Sequence, residues 1–136
     1  MKKFEIIEHT ADIGAKIYGS SLEELFLNSA VALYKLMGIS YNNFSEKLKV
    51  EIDEPTVEDL LVKFLNELIF YVDAKKVAGN IKNLKIKKLN EDFFLGCEIE
   101  GKKIKKIERE IKSATYHGLK VEKKENFYTV TIIFDI

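Results

Sequence analysis

The sequence predicts an α+β fold, a single domain in which a mostly antiparallel or mixed β-sheet carries two long helices packed on one face. Two segments show the apolar spacing and start signals of helices, and most of the remaining chain alternates between polar and apolar residues as strands do. Strands that follow one another in runs, with only two helices among them, favour the α+β class. The 136 residues are 46% apolar and 32% charged, which suits one globular domain over residues 1–136.

The first elements are predicted to be two short strands and a helix. Phe4–His9 and Ala15–Gly19 have strand character and flank a turn region at His9–Gly14. Ser21–Glu24 has the spacing of a capping box, which marks the start of a helix. Apolar residues then recur at three- and four-residue intervals up to Gly38, where a glycine favours the end of the helix.

A third strand and the second helix follow. Ser45–Asp53 alternates, with its apolar residues on one side. Pro55 and Thr56 introduce the helix, and two acidic residues in its first turn favour the helix dipole. A wide apolar stripe then continues to about Ala74, and we expect it to serve the hydrophobic core.

The last third of the chain is predicted to form two hairpins joined by a basic connection. The first hairpin pairs Ile81–Leu89 with Phe93–Glu100, and the second pairs Ala114–Glu122 with Phe127–Asp135. Between them, Gly101–Lys106 is strongly basic and Ile107–Ile111 is predicted as a short helix or loop.

The charges are balanced overall but unevenly distributed. Residues 1–74 carry a net charge of −6, and residues 75–124 carry +8. This asymmetry indicates an acidic partner for the basic half, unless folding interleaves the two halves into a mixed surface. No apolar run approaches the roughly 20 residues that span a bilayer, and Cys97 is the only cysteine, so we expect a cytoplasmic protein without membrane contact.

Three carboxylates are candidates for a cation site. Asp12 lies between small residues after the first strand, and the chain ends in Asp135 and the free carboxylate of Ile136. A strand running into the terminus would hold it in the fold, and carboxylates brought together need a cation or a proton between them. Oxygen ligands favour Ca²⁺, Mg²⁺ or Mn²⁺ over zinc. A turn aspartate and an exposed terminal acid remain the structural alternatives.

A second group of polar residues lies in the run Ile111–His117. Lys112, Tyr116 and His117 are candidate contacts to a partner or nucleotide, and His9 is a further candidate near Asp12. In an extended segment Lys112 and Tyr116 would face one way and His117 the other. Each histidine is equally consistent with a hydrogen-bonded structural residue. Spacing alone indicates no catalytic triad here.

Four motifs in order resemble the archease family over essentially the whole chain. They are His9–Gly14, Leu60–Leu68, Ile111–His117 and the terminal Phe134–Ile136. Ser113 departs from the family pattern, which usually has alanine there.

The resemblance implies a protein that is not itself an enzyme but a cofactor of the GTP- and Mn²⁺-dependent RNA ligase of tRNA splicing. Such a protein promotes guanylylation of the ligase, supports multiple turnover and broadens nucleotide use, and it meets tRNA only through the ligase. Carried over by motif, Asp12, Asp135 and Ile136 would bind a divalent metal ion, with Ca²⁺ expected ahead of Mn²⁺ or Mg²⁺.

The sequence is also consistent with two other functions. One is a stand-alone metal-dependent phosphoesterase that would use the same acids with His9 or His117 as a base. The other is an RNA-binding or chaperone module whose contact surface is the basic stretch 82–112, although that stretch lacks the interleaved aromatic residues of a stacking platform.

Overall fold

Two antiparallel sheets and two long helices are found in the part of the chain that the structure, a computed structural model, describes: residues 2–8 and 12–136. The predicted α+β class is therefore confirmed. The elements in order are β1 (Phe4–Glu8), β2 (Asp12–Gly19), α1 (Leu22–Met37), β3 (Ser40–Glu54), α2 (Val57–Lys75), β4 (Val77–Leu89), β5 (Asp92–Lys106), β6 (Ser113–Ala114), β7 (Glu122–Lys123) and β8 (Tyr128–Asp135).

The strands divide between two sheets, a division that the sequence did not indicate. One sheet has the order β1-β2-β8-β6, and β7 also pairs with β8. The other has the order β3-β5-β4, and every pairing in both sheets of the described chain is antiparallel. The strand β8 therefore lies inside its sheet, with β2 on one side and the short β6 and β7 on the other.

The first helix begins and ends where its capping residues predict. The Ser21 hydroxyl accepts a hydrogen bond from the Glu24 N–H at 3.1 Å, and the Glu24 carboxylate accepts one from the Ser20 N–H at 2.9 Å. Gly38 ends α1 in the left-handed conformation, at φ 62°, which a residue with a side chain rarely adopts.

The second helix follows the same logic. The Thr56 hydroxyl accepts a hydrogen bond from the Asp59 N–H at 3.0 Å, and the helix ends at Lys75. Both helices pack into one hydrophobic core, where the rings of Phe26 and Phe64 lie 5.8 Å apart. Within the described residues, neither helix combines the length and apolar character needed to cross a bilayer.

The helices contact strands of both sheets and so join the sheets into one core. Helix α1 contacts β1, β2, β8 and β4, and α2 contacts β3, β4, β5 and β6. Burying each large apolar side chain in such a core stabilises the fold by about 1.5–3 kcal/mol relative to leaving it exposed.

Several strands extend beyond their predicted bounds because pairing with a distant strand continues past the local pattern. Strand β2 begins at Asp12 rather than Ala15, so Asp12 lies in a strand and not in the predicted turn region. Strands β3 and β5 pair along most of their length, which carries β5 through the basic run to Lys106. The segment 107–111 is a loop, one of the two predicted alternatives.

The prediction of a continuous strand over Ala114–Glu122 is wrong. In this part of the chain only the short strands β6 and β7 pair with β8, and a turn separates these two strands. In that turn the Leu119 N–H donates to the Tyr116 carbonyl at 3.1 Å, and Gly118 has a positive φ of 61°. The left-handed glycine breaks the extended conformation that the alternating residues suggested.

Candidate metal centre

Asp12 and Asp135 face each other across the β2–β8 ladder. The register pairs the first residue of β2 with the last residue of β8. Side chains of residues that oppose each other in an antiparallel pair have Cβ atoms about 4.5–5.5 Å apart, and like charges in that position destabilise the sheet. The structure thus brings together two acids from opposite ends of the sequence.

The Asp12 carboxylate is incompletely satisfied. Its Oδ1 atom is buried and has no hydrogen-bond partner among the described residues. A buried polar atom without a partner costs free energy that a proton donor or a cation at this position would recover. The orphan oxygen and the facing carboxylate together fit a bound cation.

Asp135 is anchored from its other side by β6. Ser113 is its register partner, and the Ser113 hydroxyl donates to Asp135 Oδ2 at 3.3 Å. The Lys112 N–H donates to the Asp135 carbonyl at 2.8 Å. These contacts hold both the main chain and one carboxylate oxygen of Asp135, and neither of them involves its Oδ1. Ser113 is a site residue that the sequence argument did not single out.

The short strand β6 is fixed by a side chain of α2. Asn66 accepts a hydrogen bond from the Ala114 N–H at 2.8 Å and donates one to the Ala114 carbonyl at 3.3 Å. One residue further on, the Thr115 N–H and hydroxyl both donate to the Ile133 carbonyl, at 2.9 and 3.0 Å. Asn66 therefore replaces a missing neighbouring strand. The signal for it was its place in the Leu60–Leu68 motif.

The other predicted site residues make contacts different from those of Asp12 and Asp135. Lys112 is exposed and adjoins the acids through its main chain. Tyr116 is 56% exposed; partial burial raises its pKa, and so do the nearby carboxylates of Asp59 and Glu54.

No contact among the described residues joins His117 to the acids. His117 is exposed, and its main-chain N–H donates to the Thr115 hydroxyl at 3.4 Å. His9 lies outside the described residues. Ile136 directly follows Asp135, and its side chain is 38% exposed.

The donor set fits a hard divalent cation. Asp12 and Asp135 supply carboxylate oxygens, and the terminal carboxylate of Ile136 is predicted as the third acid. Among residues 2–8 and 12–136, no three His, Cys, Asp or Glu side chains lie together in a way that would hold a metal ion. A cation here would therefore depend on the main-chain terminus and on water to complete the oxygen shell that Ca²⁺, Mg²⁺ or Mn²⁺ requires.

Comparison with known proteins yields one family throughout. Residues 4–136 match the model of the archease protein family (MTH1598/TM1083). The chain is 37% identical to a protein archease of Sulfurisphaera tokodaii over the full length of both chains. It is 36% identical to that of Pyrococcus abyssi over 90% of each.

Two solved structures share the fold. The solution structure of Methanobacterium thermoautotrophicum protein 1598 matches with a TM-score of 0.85 at 30% identity, covering all of both chains. The crystal structure of an archease from Thermotoga maritima, described as a possible chaperone, matches with a TM-score of 0.67 at 32% identity. That match covers 96% of this chain and 94% of the other.

Proposed function

Because this chain belongs to the archease family, we propose that it is a metal-binding accessory protein that activates the GTP- and Mn²⁺-dependent RNA ligase of tRNA splicing. In this role it promotes guanylylation and multiple turnover of the ligase and broadens its nucleotide use. The observations that support the proposal are the register pairing of Asp12 with Asp135 and the buried Asp12 Oδ1 atom, which has no hydrogen-bond partner within residues 2–8 and 12–136.

The residues of the site have distinct roles in this proposal. Asp12, Asp135 and the Ile136 carboxylate hold the cation, and Ser113 fixes the orientation of the Asp135 carboxylate. A divalent cation supplies positive charge that attracts and orients phosphate oxygens. Guanylylation brings a triphosphate to a nucleophile, so charge placement and orientation are the contributions that an accessory protein can make.

Lys112 is the candidate contact to phosphate or to an acidic surface of the ligase. Its side chain is exposed, while its main chain is fixed to Asp135. The positively charged ammonium group therefore belongs to a residue whose main chain is hydrogen-bonded to Asp135, a proposed metal ligand. The ligase holds the tRNA, and this protein meets the RNA only within that complex, in the cytoplasm.

The test is a guanylylation assay with purified ligase, labelled GTP and Mn²⁺. Wild-type protein should increase the rate of ligase–GMP formation, and Asp135→Asn should lose at least tenfold of that stimulation because a metal ligand is removed. Glu91→Gln is the matched control, since Glu91 is an exposed acid in the β4–β5 turn. Equal stimulation by wild type and Asp135→Asn would refute the proposed role of the site.

The cation itself is identified by calorimetry. We expect Ca²⁺ to bind more tightly than Mg²⁺, because an irregular shell of carboxylates and water suits the larger ion. Mn²⁺ is the second candidate. Loss of the heat signal in Asp12→Asn would assign the binding to this site.

A chaperone role is the second candidate function, because the Thermotoga maritima relative is described as a possible chaperone. Unlike activation of the ligase, a chaperone role should not depend on Asp12 and Asp135. Suppression of aggregation of an unrelated denatured protein, undiminished by Asp135→Asn, would favour it. A phosphoesterase active without any ligase gains no structural support, since no second set of metal ligands lies beside Asp12 and Asp135 in the described residues.

A further inference from the structure

A groove on another part of the surface lies between α1 and the strands β3, β4 and β5. We call it the α1–β4 groove. It has a volume of about 580 Å³. The aliphatic residues of its lining, which we call its floor, are Leu27, Ala30, Val31, Ile39 and Ile81. None of these residues belongs to the candidate metal centre.

Helix α1 is buried or half-buried on almost every side. Of its sixteen residues, only Val31 and Lys35 are exposed. Val31 is 44% exposed, and Tyr41, on the opposite wall of the groove, is 37% exposed. Because most of the helix is covered, the exposed valine marks its uncovered part.

The edge of β4 beside this groove is already partly blocked. The Ile86 N–H donates to the Glu23 carboxylate at 3.3 Å. A register shift between Lys82 and Lys85 interrupts the strand just before this point. Bulges and capped N–H groups prevent the addition of another strand. The groove therefore offers side-chain contacts, the mode in which an amphipathic helix binds.

Lysines surround the aliphatic floor. Lys35 lies on α1, Lys82 on β4 and Lys102 on β5. Lys82 is 3.8 Å from Glu100, but both side chains are about half exposed and such pairs contribute little. The Lys102 ammonium lies 5.8 Å from the centre of the Tyr41 ring. Three cations around an apolar floor favour an occupant that carries negative charge beside an apolar face.

We propose that the α1–β4 groove docks an acidic amphipathic helix of a protein partner. The apolar face of that helix lies on Val31, Leu27 and Ile81, and its carboxylates meet the three lysines. Single-stranded RNA fits the surface less well, because bases stack on several exposed aromatic rings. Among the described residues that line the groove, Tyr41 is the one exposed aromatic residue.

The test uses a labelled peptide of four to five helical turns with leucines on one face and glutamates on the other, measured by fluorescence anisotropy in the presence of EDTA. We expect saturable binding to the wild-type protein. Val31→Asp should weaken it at least tenfold, because a carboxylate in the floor opposes both the leucines and the glutamates. Phe70→Asp is the matched control: Phe70 is 56% exposed on α2, outside the groove, and its replacement should leave binding unchanged.

Charge reversal provides the second arm. In the double variant Lys35→Glu, Lys82→Glu, the acidic peptide should lose at least tenfold in affinity, and a peptide with lysines in place of the glutamates should bind more tightly than it does to the wild type. Failure of the acidic peptide to bind the wild type, or equal binding after Val31→Asp, would overturn the proposal. So would oligouridine binding that is lost on the same substitutions. Because EDTA is present throughout, neither result depends on the metal centre.

Discussion

Replacing Asp12 with asparagine distinguishes two effects on stability. One is the destabilisation by two facing carboxylates without a metal ion, and the other is the stabilisation by a bound cation. The substitution keeps the size of the side chain and its place opposite Asp135. It removes one of two facing negative charges and supplies an N–H donor where the carboxylate has none. Without a metal, Asp12→Asn should therefore stabilise the protein.

The magnitude follows from the two features of the pair. A buried, unpartnered polar atom such as Asp12 Oδ1 costs about 1–3 kcal/mol, and like charges opposed across a sheet cost up to about 1 kcal/mol. An amide recovers part of both, so we expect a gain of about 1 kcal/mol in the free energy of unfolding. For a domain of this size that corresponds to a rise in Tm of roughly 3–5 °C.

In excess Ca²⁺ the wild type should be more stable than Asp12→Asn, the reverse of the order expected without metal. At a free concentration of 100 times Kd, a ligand that binds only the folded state stabilises it by about 2.7 kcal/mol. The wild type should gain this amount, and Asp12→Asn should gain little because it lacks a ligand carboxylate. The assay is thermal unfolding followed by circular dichroism, in EDTA and in excess Ca²⁺, with Asp73→Asn as control. Asp73 is an exposed acid of α2, and its replacement should leave both curves unchanged.

Either of two results would refute this reasoning. If Asp12→Asn is less stable than the wild type in EDTA, the Asp12 carboxylate makes a stabilising contact that the pairing with Asp135 does not suggest. If both proteins gain equally from Ca²⁺, the cation binds somewhere else.

Three further predictions concern the same framework. Ser113→Ala should weaken Ca²⁺ binding about tenfold in calorimetry, as loss of a residue that orients a ligand typically does, whereas Ser113→Thr should retain it. A short extension after Ile136 should lower Ca²⁺ affinity because it converts the terminal carboxylate into an amide, and the same extension at the N-terminus should not. Gly79→Ala should destabilise the fold by about 2 kcal/mol or more in urea, because a Cβ there would lie 2.0 Å from the Glu100 carbonyl oxygen. Gly96→Ala, which meets nothing within 4 Å, should change stability by less than about 1 kcal/mol.

The helices were predictable because the residues that begin and end each helix lie next to it in the sequence. Ser21 and Thr56 accept the capping hydrogen bonds that their positions suggest, and Gly38 takes the left-handed conformation that ends α1. Strand β8 was predictable for a similar reason. From Val130 to Phe134 its buried residues alternate with half-buried ones, as a strand with one face in the core requires.

The pairing of strands was not predictable from local patterns. Asp12 belongs to β2 because Asp135 of β8 pairs with it, and that partner lies far away in the sequence. The division into two sheets has the same origin. The segment after Ala114 alternates like a strand, but the turn at Gly118 outweighs that weak signal.

The candidate site was predictable in its acids but not in its supports. Asp12 and Asp135 stood out by charge and position. Ser113 contributes through a hydrogen bond to Asp135, and Asn66 contributes through two bonds to the main chain of Ala114. Such contacts depend on how α2 and β6 pack, which no spacing in the sequence reveals.

The β2–β8 register has a consequence for folding. Asp12 pairs with Asp135, so this contact closes a loop from residue 12 to residue 135 and is among the slowest kinds of contact to form. An unfolded or partly folded chain would not present the paired carboxylates at all. If the site binds Ca²⁺, the number of ions bound per chain would then report the fraction of molecules that have completed their folding, and a freshly refolded sample could be graded by a simple calcium titration.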